Sequence, residues 1–263
     1  MKLGLCTDIN SDNFEDIKVA AECGYSYAEL PAKSIAKLSH GGIKELKKKI
    51  NSFGITAEAA NGYFPNELKF VGDDVDVELI KNYAKSVSEK LSLFGIKTAV
   101  FGSGPSRAIP SGYSKEKAFW QIEQTLCIVN EESLNWGIEI VIEPLSPRET
   151  NVLNTVRETY DFCKKINLKN VHLLADLYHV GQERDFRRSM SDIAECGDEL
   201  KHVHIACPIA RTVPMKCDGF DYSLFFSALK NANYCGNISV EAWPQTREAL
   251  SDCKEIFDKY TAP

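Results

Sequence analysis

Residues 141–154 read Val-Ile-Glu-Pro-Leu-Ser-Pro-Arg-Glu-Thr-Asn-Val-Leu-Asn, and this stretch decides the fold class. The apolar run at 138–142 predicts a buried strand that delivers Glu143 at its end, because the proline that follows cannot continue the strand. A polar loop with a second carboxylate, Glu149, comes next, and a helical pattern begins near Thr155. A carboxylate where a buried strand ends is poorly suited to packing and well suited to holding a metal ion or moving a proton.

The same unit recurs along the chain: a short β-branched run, a polar loop, an amphipathic helix and then a glycine. Glycine just past a helix suits the left-handed cap, and the helix-to-strand joints at Gly24, Gly54, Gly95, Gly137 and Gly236 resemble one another. The pattern predicts strands at residues 2–7, 26–30, 55–60, 98–102, 138–143, 171–175, 203–206 and 238–242. It predicts helices at residues 14–23, 43–53, 77–94, 115–136, 155–166, 222–231 and 247–260, and a less regular one at 186–196.

Eight such units take up the whole chain at about 33 residues each, which is the spacing of a (β/α)8 barrel. Strict alternation of strand and helix implies parallel strands joined by right-handed crossovers. We therefore predict an α/β protein, a single (β/α)8 TIM barrel in which residues 1–263 form one domain. A doubly wound open sheet is the alternative. Eight units are many for that fold, however, and no Gly-x-Gly-x-x-Gly follows the first strand.

Charge and composition narrow the class of partner. The net charge of −6 and the pI near 5.5 argue against a nucleic-acid partner, which favours a basic surface. No apolar run reaches the roughly 18 residues of a membrane-spanning helix, and the apolar run at the start is too short for a signal peptide. We therefore predict a cytoplasmic protein with no membrane association. Nine cysteines, none in Cys-x-x-Cys spacing, fit reduced thiols better than disulfides or structural zinc.

The last four predicted strands each bring a ligand-type side chain to their C-terminal ends, where barrels carry their chemistry. These residues are Glu143, Asp176, His204 and Glu241, each about one βα unit from the next. Any single acid at a strand end is more commonly a helix N-cap or a solvated loop charge, but four successive strands seldom agree by chance. Two glutamates, an aspartate and a histidine on one rim suit Mn²⁺, Mg²⁺ or a similar divalent ion.

Three other histidines are given no role at this rim. His202 is expected to point the other way from His204, because the strand is ending there. His172 lies at the start of its strand and His40 in a Gly-Gly loop, so both are expected to be structural or surface residues.

Several motifs resemble those of the xylose-isomerase-like barrel superfamily. They are Glu143-Pro-Leu, Glu149-Thr-Asn-x-Leu-Asn, Asp176-x-x-His179, His202-x-His204 and Val240-Glu241. Within it the chain is similar, over essentially its whole length, to sugar (phosphate) isomerases and epimerases of the ketose 3-epimerase and hydroxypyruvate isomerase type. The resemblance implies one divalent ion, Mn²⁺ by preference and otherwise Mg²⁺, Co²⁺ or Zn²⁺, held by Glu143, Asp176, His204 and Glu241. It implies substrate contacts at Glu149, His179 and Arg211 to a sugar or sugar phosphate and, by analogy, a homo-oligomer (dimer or tetramer).

The sequence departs from this family pattern at three places near the expected substrate. Arg211 falls one residue later after His204 than in typical 3-epimerases. Residues 214–219 replace the usual Pro-Gly-x-Gly loop, and the first strand ends Cys6-Thr-Asp8 without an aromatic residue. These differences fall where sugar specificity is set.

The implied chemistry is proton transfer beside a carbonyl through a metal-stabilised enediolate, with Glu143 and Glu241 as the acid/base pair. Their strands are separated by two others, so the two carboxylates can flank a substrate. Exchange of the proton between the two faces gives epimerisation, and transfer between C1 and C2 gives aldose–ketose isomerisation. The sequence favours neither.

Three alternatives stay open. A metal-dependent dehydratase or lyase acting on a keto-sugar or cyclitol would use the same ion and carboxylates but eliminate water. An apurinic endonuclease-like protein would share the barrel, but it needs more metal-binding histidines and a basic groove for DNA. A non-catalytic sugar-binding barrel would have no need of a complete set of four ligands.

Overall fold

Eight parallel strands form a closed barrel. The computed structural model describes residues 1–9 and 14–262. In this part of the chain the strands follow one another around the barrel in chain order, and the first pairs with the last. The strands are β1 (Lys2–Cys6), β2 (Tyr27–Pro31), β3 (Thr56–Asn61), β4 (Thr98–Phe101), β5 (Glu139–Ile142), β6 (Val171–Asp176), β7 (Leu200–Ile205) and β8 (Asn237–Val240). The predicted single (β/α)8 barrel is confirmed.

Helices surround the barrel and connect its strands. They are α1 (Glu15–Glu22), α2 (Ala32–Ile35), α3 (His40–Asn51), α4 (Val77–Phe94), α5 (Gly104–Arg107), α6 (Lys115–Leu134), α7 (Val156–Ile166), α8 (Leu177–Val180), α9 (Phe186–Glu195), α10 (Ser223–Asn231) and α11 (Arg247–Thr261). A 3₁₀ turn at Gly197–Glu199 precedes β7. The longer helices begin at side-chain caps such as Asp76, Ser114 and Thr155, each of which accepts a hydrogen bond from the backbone N–H three residues further on.

All the predicted strands and longer helices occur, with ends within a few residues of the prediction. The short helices α2, α5 and α8 were not predicted, because one helical turn is too short to show a periodic pattern. Helix α2 directly follows β2, α5 follows shortly after β4, and α8 directly follows β6. All three therefore lie at the rim where the strands end.

The barrel interior is packed, and it positions the rim residues. Val100, Val141 and Leu174 form a fully buried cluster that is separate from the core between barrel and helices. Alternate residues of a strand share a face, so the side chains two positions after Val141 and Leu174 extend the same interior column. Those side chains are Glu143 and Asp176.

Below the rim, β1 and β2 approach closely around an aromatic ring. Gly4 is paired with Tyr27, and a Cβ atom at Gly4 would lie 2.2 Å from Cζ of that ring. Tyr27 is fully buried. A side chain at position 4 would therefore displace the ring from the barrel interior.

The structure bears on membrane crossing and on the state of the cysteines. Within residues 1–9 and 14–262, no helix is both long and apolar enough to cross a bilayer. All nine cysteines lie in this part of the chain and are free thiols.

Candidate functional site

The four strand-end residues come together in one cluster. Glu143, Asp176, His204 and Glu241 each offer one ligand atom, and these atoms all lie within 4.8 Å of one another. Glu143, Asp176 and His204 are buried, whereas the side chain of Glu241 keeps 18% of its surface exposed. The cluster therefore lies at the base of an opening, where small molecules can reach it.

His204 directs one nitrogen toward the carboxylates. Its Nδ1 lies 3.3 Å from Oε1 of Glu143 and 3.6 Å from Oε2 of Glu241. Its Nε2 lies on the other side of the ring, 2.9 Å from Oε1 of Glu29. Burial disfavours a charged imidazole, but the carboxylate of Glu29 outweighs it and raises the pKa of His204 well above its ordinary value.

The carboxylates of the cluster differ in their affinity for protons. Burial, followed by repulsion from Glu241, raises the pKa of Asp176 to about 7. Burial also raises the pKa of Glu143. Burial favours the neutral form of Glu241 too, but His204 and Arg211 hold its pKa below the ordinary value. Three crowded carboxylates and an imidazole suit a divalent cation, because the cation would relieve this repulsion. The group could hold a metal ion.

His179 offers a free hydrogen-bonding atom next to this cluster. Its Nδ1 accepts a hydrogen bond from the backbone N–H of Ser146 at 3.1 Å, which leaves Nε2 as the protonated nitrogen. Nε2 is buried, and within residues 1–9 and 14–262 it has no hydrogen-bond partner. It lies 3.7 Å from Oδ2 of Asp176 and 3.8 Å from Oε1 of Glu149. A buried donor of this kind calls for a ligand oxygen.

Glu149 and Arg211 meet at the mouth of the site. Nη1 of Arg211 lies 2.7 Å from Oε1 of Glu149, and Nη2 lies 3.6 Å from Oε2 of Glu241. The guanidinium also lies over the ring of Tyr178, 4.5 Å from its centroid. Arg211 reaches the site although it falls one residue later in the sequence than the family pattern.

The loop between Glu143 and Thr155 is held from below by a buried arginine. Nη2 of Arg107 donates a hydrogen bond to the backbone carbonyl of Glu143 at 2.7 Å, and Nη1 donates to that of Phe101 at 3.1 Å. Asn154 donates from Nδ2 to the carbonyls of Leu145 and Thr150. The loop that joins Glu143 to Glu149 is therefore held by Arg107 at its start and by Asn154 further along.

A cavity of about 330 Å³ opens above the cluster. Gly102 leaves room for the carboxylate of Glu143 at this cavity, since a Cβ atom there would lie 2.4 Å from Oε2 of Glu143. Side chains from several strand ends line the cavity: Lys33, Asn61, Phe64, Asn66, Glu143, Glu149, His179, Arg211 and Glu241. The cavity is thus lined by all residues predicted for the substrate and by two of those predicted for the metal. The other two, Asp176 and His204, belong to the cluster at its base.

The prediction for His202 was wrong. It is fully buried and faces the same interior as His204, with ring centroids 5.3 Å apart. The physical reason is that β7 begins at Leu200 and runs to Ile205, so both histidines lie within it and residues two apart share a face. His172 is near the start of its strand and pairs with Glu199, as expected for a structural residue. His40 is exposed near Glu89, as expected for a surface residue, but it is the first residue of α3 and not part of a loop.

Glu29 was missed by the sequence analysis. It is fully buried in β2 and lies between the Nε2 atoms of His202 and His204, at 2.7 and 2.9 Å. These histidines lower its pKa well below the ordinary value, although burial acts in the opposite direction. The available signal was an acidic residue inside an otherwise apolar strand, which requires a buried partner.

Curated proteins of known activity are similar to this chain over most of its length. The L-ribulose 3-epimerase of Methylomonas sp. (strain DH-1) is 26% identical over 234 residues, covering 85% of this chain and 76% of that protein. The 3-dehydro-D-guloside 4-epimerase of Escherichia coli (strain K12) is 23% identical over 235 residues, covering 86% of both proteins. The distant relatives are thus sugar epimerases.

A solved structure shares the fold. The crystal structure of D-psicose 3-epimerase in the presence of D-fructose superposes with a TM-score of 0.84 and 19% identity, covering 99% of both chains. The family model described as xylose isomerase-like TIM barrel matches residues 17–258. The resemblance inferred from the motifs is therefore confirmed, and the chain belongs to the xylose isomerase-like TIM barrel family.

Proposed function

We propose that this protein is a divalent-metal-dependent sugar epimerase or isomerase of the ketose 3-epimerase type. One observation carries the proposal: Glu143 and Glu241, from strands separated by two others, both lie against Nδ1 of His204 and face one cavity. The identity of the relatives as sugar epimerases supports the same reaction class.

Glu143, Asp176, His204 and Glu241 would hold the ion. When bound, a divalent ion supplies positive charge beside the carbonyl and hydroxyl oxygens on which negative charge develops as a carbon-bound proton leaves. The donor set is mostly oxygen with a single imidazole, which suits Mn²⁺, with Mg²⁺, Co²⁺ or Zn²⁺ as alternatives.

The side chains around the cavity divide the remaining tasks. One of Glu143 and Glu241 removes the proton from one face of the sugar carbon, and the other returns a proton to the opposite face. The configuration of that carbon is thereby inverted. Nε2 of His179 donates a hydrogen bond to a sugar oxygen, because it is buried and otherwise unsatisfied. Glu149 accepts from sugar hydroxyls, and Arg211 holds the Glu149 carboxylate in position.

The substrate is a ketose or a closely related keto-sugar, free or phosphorylated. Two cationic side chains, Lys33 and Arg211, line the cavity, and Arg211 is paired with Glu149 and Glu241. The relatives act at carbon 3 or carbon 4 by their names, so both positions belong in the test.

The test is a panel of free and phosphorylated ketoses and 3-keto-glycosides incubated in D₂O with Mn²⁺. We expect deuterium at a single carbon of one substrate, together with its epimer, as identified by NMR. EDTA should abolish the exchange, and added Mn²⁺ should restore it. Exchange that is indifferent to EDTA would refute the metal-dependent reaction, and a product that has lost water would identify a dehydratase instead.

A further inference from the structure

Glu29 is a buried carboxylate that lies outside the four-residue cluster and is in direct contact with one member of it. Its two oxygens are divided between the partners. Oε1 accepts from Nε2 of His204 at 2.9 Å, while Oε2 accepts from Nε2 of His202 at 2.7 Å and from Oγ of Ser239 at 2.5 Å. An ionised carboxylate can only accept hydrogen bonds, so each of these nitrogens carries its proton on the side that faces Glu29.

The two nitrogens of His204 therefore have different tasks. An imidazole can bind a metal ion only through a nitrogen that carries no proton. With its proton held on Nε2 by Glu29, His204 presents Nδ1 toward Glu143 and Glu241. We propose that Glu29 is a positioning residue that fixes the tautomer and orientation of His204, so that Nδ1 is the ligand atom. The inference rests on the proposed metal site.

Other buried groups hold Glu29 in place. Ser239 donates to Glu29 and so receives its own hydrogen bond from the hydroxyl of Tyr27, at 2.7 Å between the two oxygens. His202 binds the same carboxylate oxygen as Ser239. Glu29 thereby connects β2 to β7 and β8, the strands that deliver His204 and Glu241. With Oε2 bound twice, the carboxylate cannot turn away from His204 without losing two further hydrogen bonds.

Glu29→Gln is the decisive variant, since it keeps the size of the side chain but turns one acceptor into a donor. Tyr27→Phe is the matched control: it removes a hydrogen bond of the same buried network without touching His204. The dissociation constant for Mn²⁺ is measured by titration calorimetry, and the unfolding temperature of each metal-free protein is measured alongside. We expect Glu29→Gln to weaken Mn²⁺ binding by about 10- to 100-fold and Tyr27→Phe by less than about threefold, because its loss does not reach His204.

A merely structural role would give a different result. Equal losses of Mn²⁺ affinity in the two variants at equal losses of unfolding temperature would overturn the inference. So would a Glu29→Gln variant that binds Mn²⁺ like the unaltered protein.

The protonated nitrogen can also be observed directly. In protein labelled with ¹⁵N-histidine and loaded with Zn²⁺, two-bond correlations identify the ring nitrogen that carries the proton, and His204→Asn assigns the signals. We expect the proton of His204 on Nε2 in the unaltered protein. In Glu29→Gln we expect it on Nδ1, so that His204 no longer binds the ion. A proton on Nε2 in both proteins would contradict the role of Glu29. If the unaltered protein binds no divalent ion, the proposed function fails and this inference with it. If it binds the ion and Glu29→Gln gives the same pattern, the proposed function stands and only the role of Glu29 fails.

Discussion

Nη1 of Arg211 lies 2.7 Å from Oε1 of Glu149, although the two residues are 62 positions apart in the chain. The pair joins the loop after β7 to the loop after β5 across the mouth of the cavity. Glu149 also lies 3.8 Å from Nε2 of His179. The carboxylate of Glu149 is therefore set between a cation and the buried donor that faces the site.

Substitutions in this pair should act on substrate binding and should not be additive. We expect Glu149→Gln and Arg211→Met each to raise KM about tenfold with a smaller effect on kcat, because each removes a contact that orients the sugar. The double variant should be less impaired than the product of the two single effects, since the residues act on each other. Steady-state kinetics on the substrate from the D₂O panel measures this. Arg188→Met, which removes an arginine paired with Asp192 on α9, is the control and should leave KM unchanged. Full additivity would show that the pair does not work as a unit.

Gly102→Ala should damage the site and spare the fold. The new Cβ atom would lie 2.4 Å from Oε2 of Glu143, and the end of that side chain can move away while the backbone stays in place. A displacement of about 1 Å at a catalytic group can cost about 100-fold in rate, so we expect a loss of kcat of that order. The unfolding temperature should change little. Gly41→Ala is the control, because its Cβ atom meets nothing closer than Oγ of Ser39 at 3.8 Å. A Gly102→Ala protein with unimpaired kcat would show that the position of Glu143 is not critical.

Removing either of the two proposed bases should stop the reaction. We expect Glu143→Gln and Glu241→Gln each to lower kcat by about 100- to 10,000-fold, the usual contribution of a positioned acid or base, with a further loss from weakened metal binding. Circular dichroism and the unfolding temperature should show an intact barrel. Glu149→Gln is the matched control, being a carboxylate of the same cavity outside the four-residue cluster, and it should retain measurable turnover. Near-normal turnover in either base variant would refute the two-base mechanism.

Metal affinity should depend on pH through Asp176. Its pKa is raised to about 7 in the metal-free protein, whereas an unfolded aspartate titrates near 4, so folding favours the protonated form. The metal-free fold should therefore lose stability from this group as the pH rises from about 4 to about 7. Metal binding needs the ionised form, so Mn²⁺ affinity should fall about tenfold for each pH unit below 7. Titration calorimetry between pH 6 and pH 8 measures the slope, and Asp176→Asn should flatten it. An affinity independent of pH in this range would show that Asp176 releases no proton on binding.

The barrel and its four rim residues could be predicted because they depend on short-range patterns. Each strand is a short apolar run, and each longer helix has its own cap, as at Thr155, so the alternation is visible without knowledge of the packing. Glu143, Asp176, His204 and Glu241 follow from the rule that parallel strands end at a common rim.

Glu29 and the orientation of His202 could not be predicted in this way. The orientation of His202 depends on where β7 begins, and the predicted strand began three residues too late. The role of Glu29 depends on which residues face each other across the barrel interior. An acid within Tyr27–Pro31 gives no sign of its partners, which lie more than 170 positions away. The short helices at the rim could not be predicted either, since a single helical turn depends on the loop around it and shows no periodic pattern of its own.

The barrel closes where β8 pairs with β1. Glu241 follows β8, and its backbone N–H is hydrogen-bonded to the carbonyl of Ile205 at the end of β7. Glu143, Asp176 and His204 lie at the ends of the neighbouring strands β5 to β7, and Glu241 follows β8, the strand that closes the barrel against β1. An ion held by all four would thus favour the sealed ring over a form in which the two ends of the chain have parted. Binding of the ion during refolding would therefore indicate that the barrel has closed, independently of any reaction on a sugar.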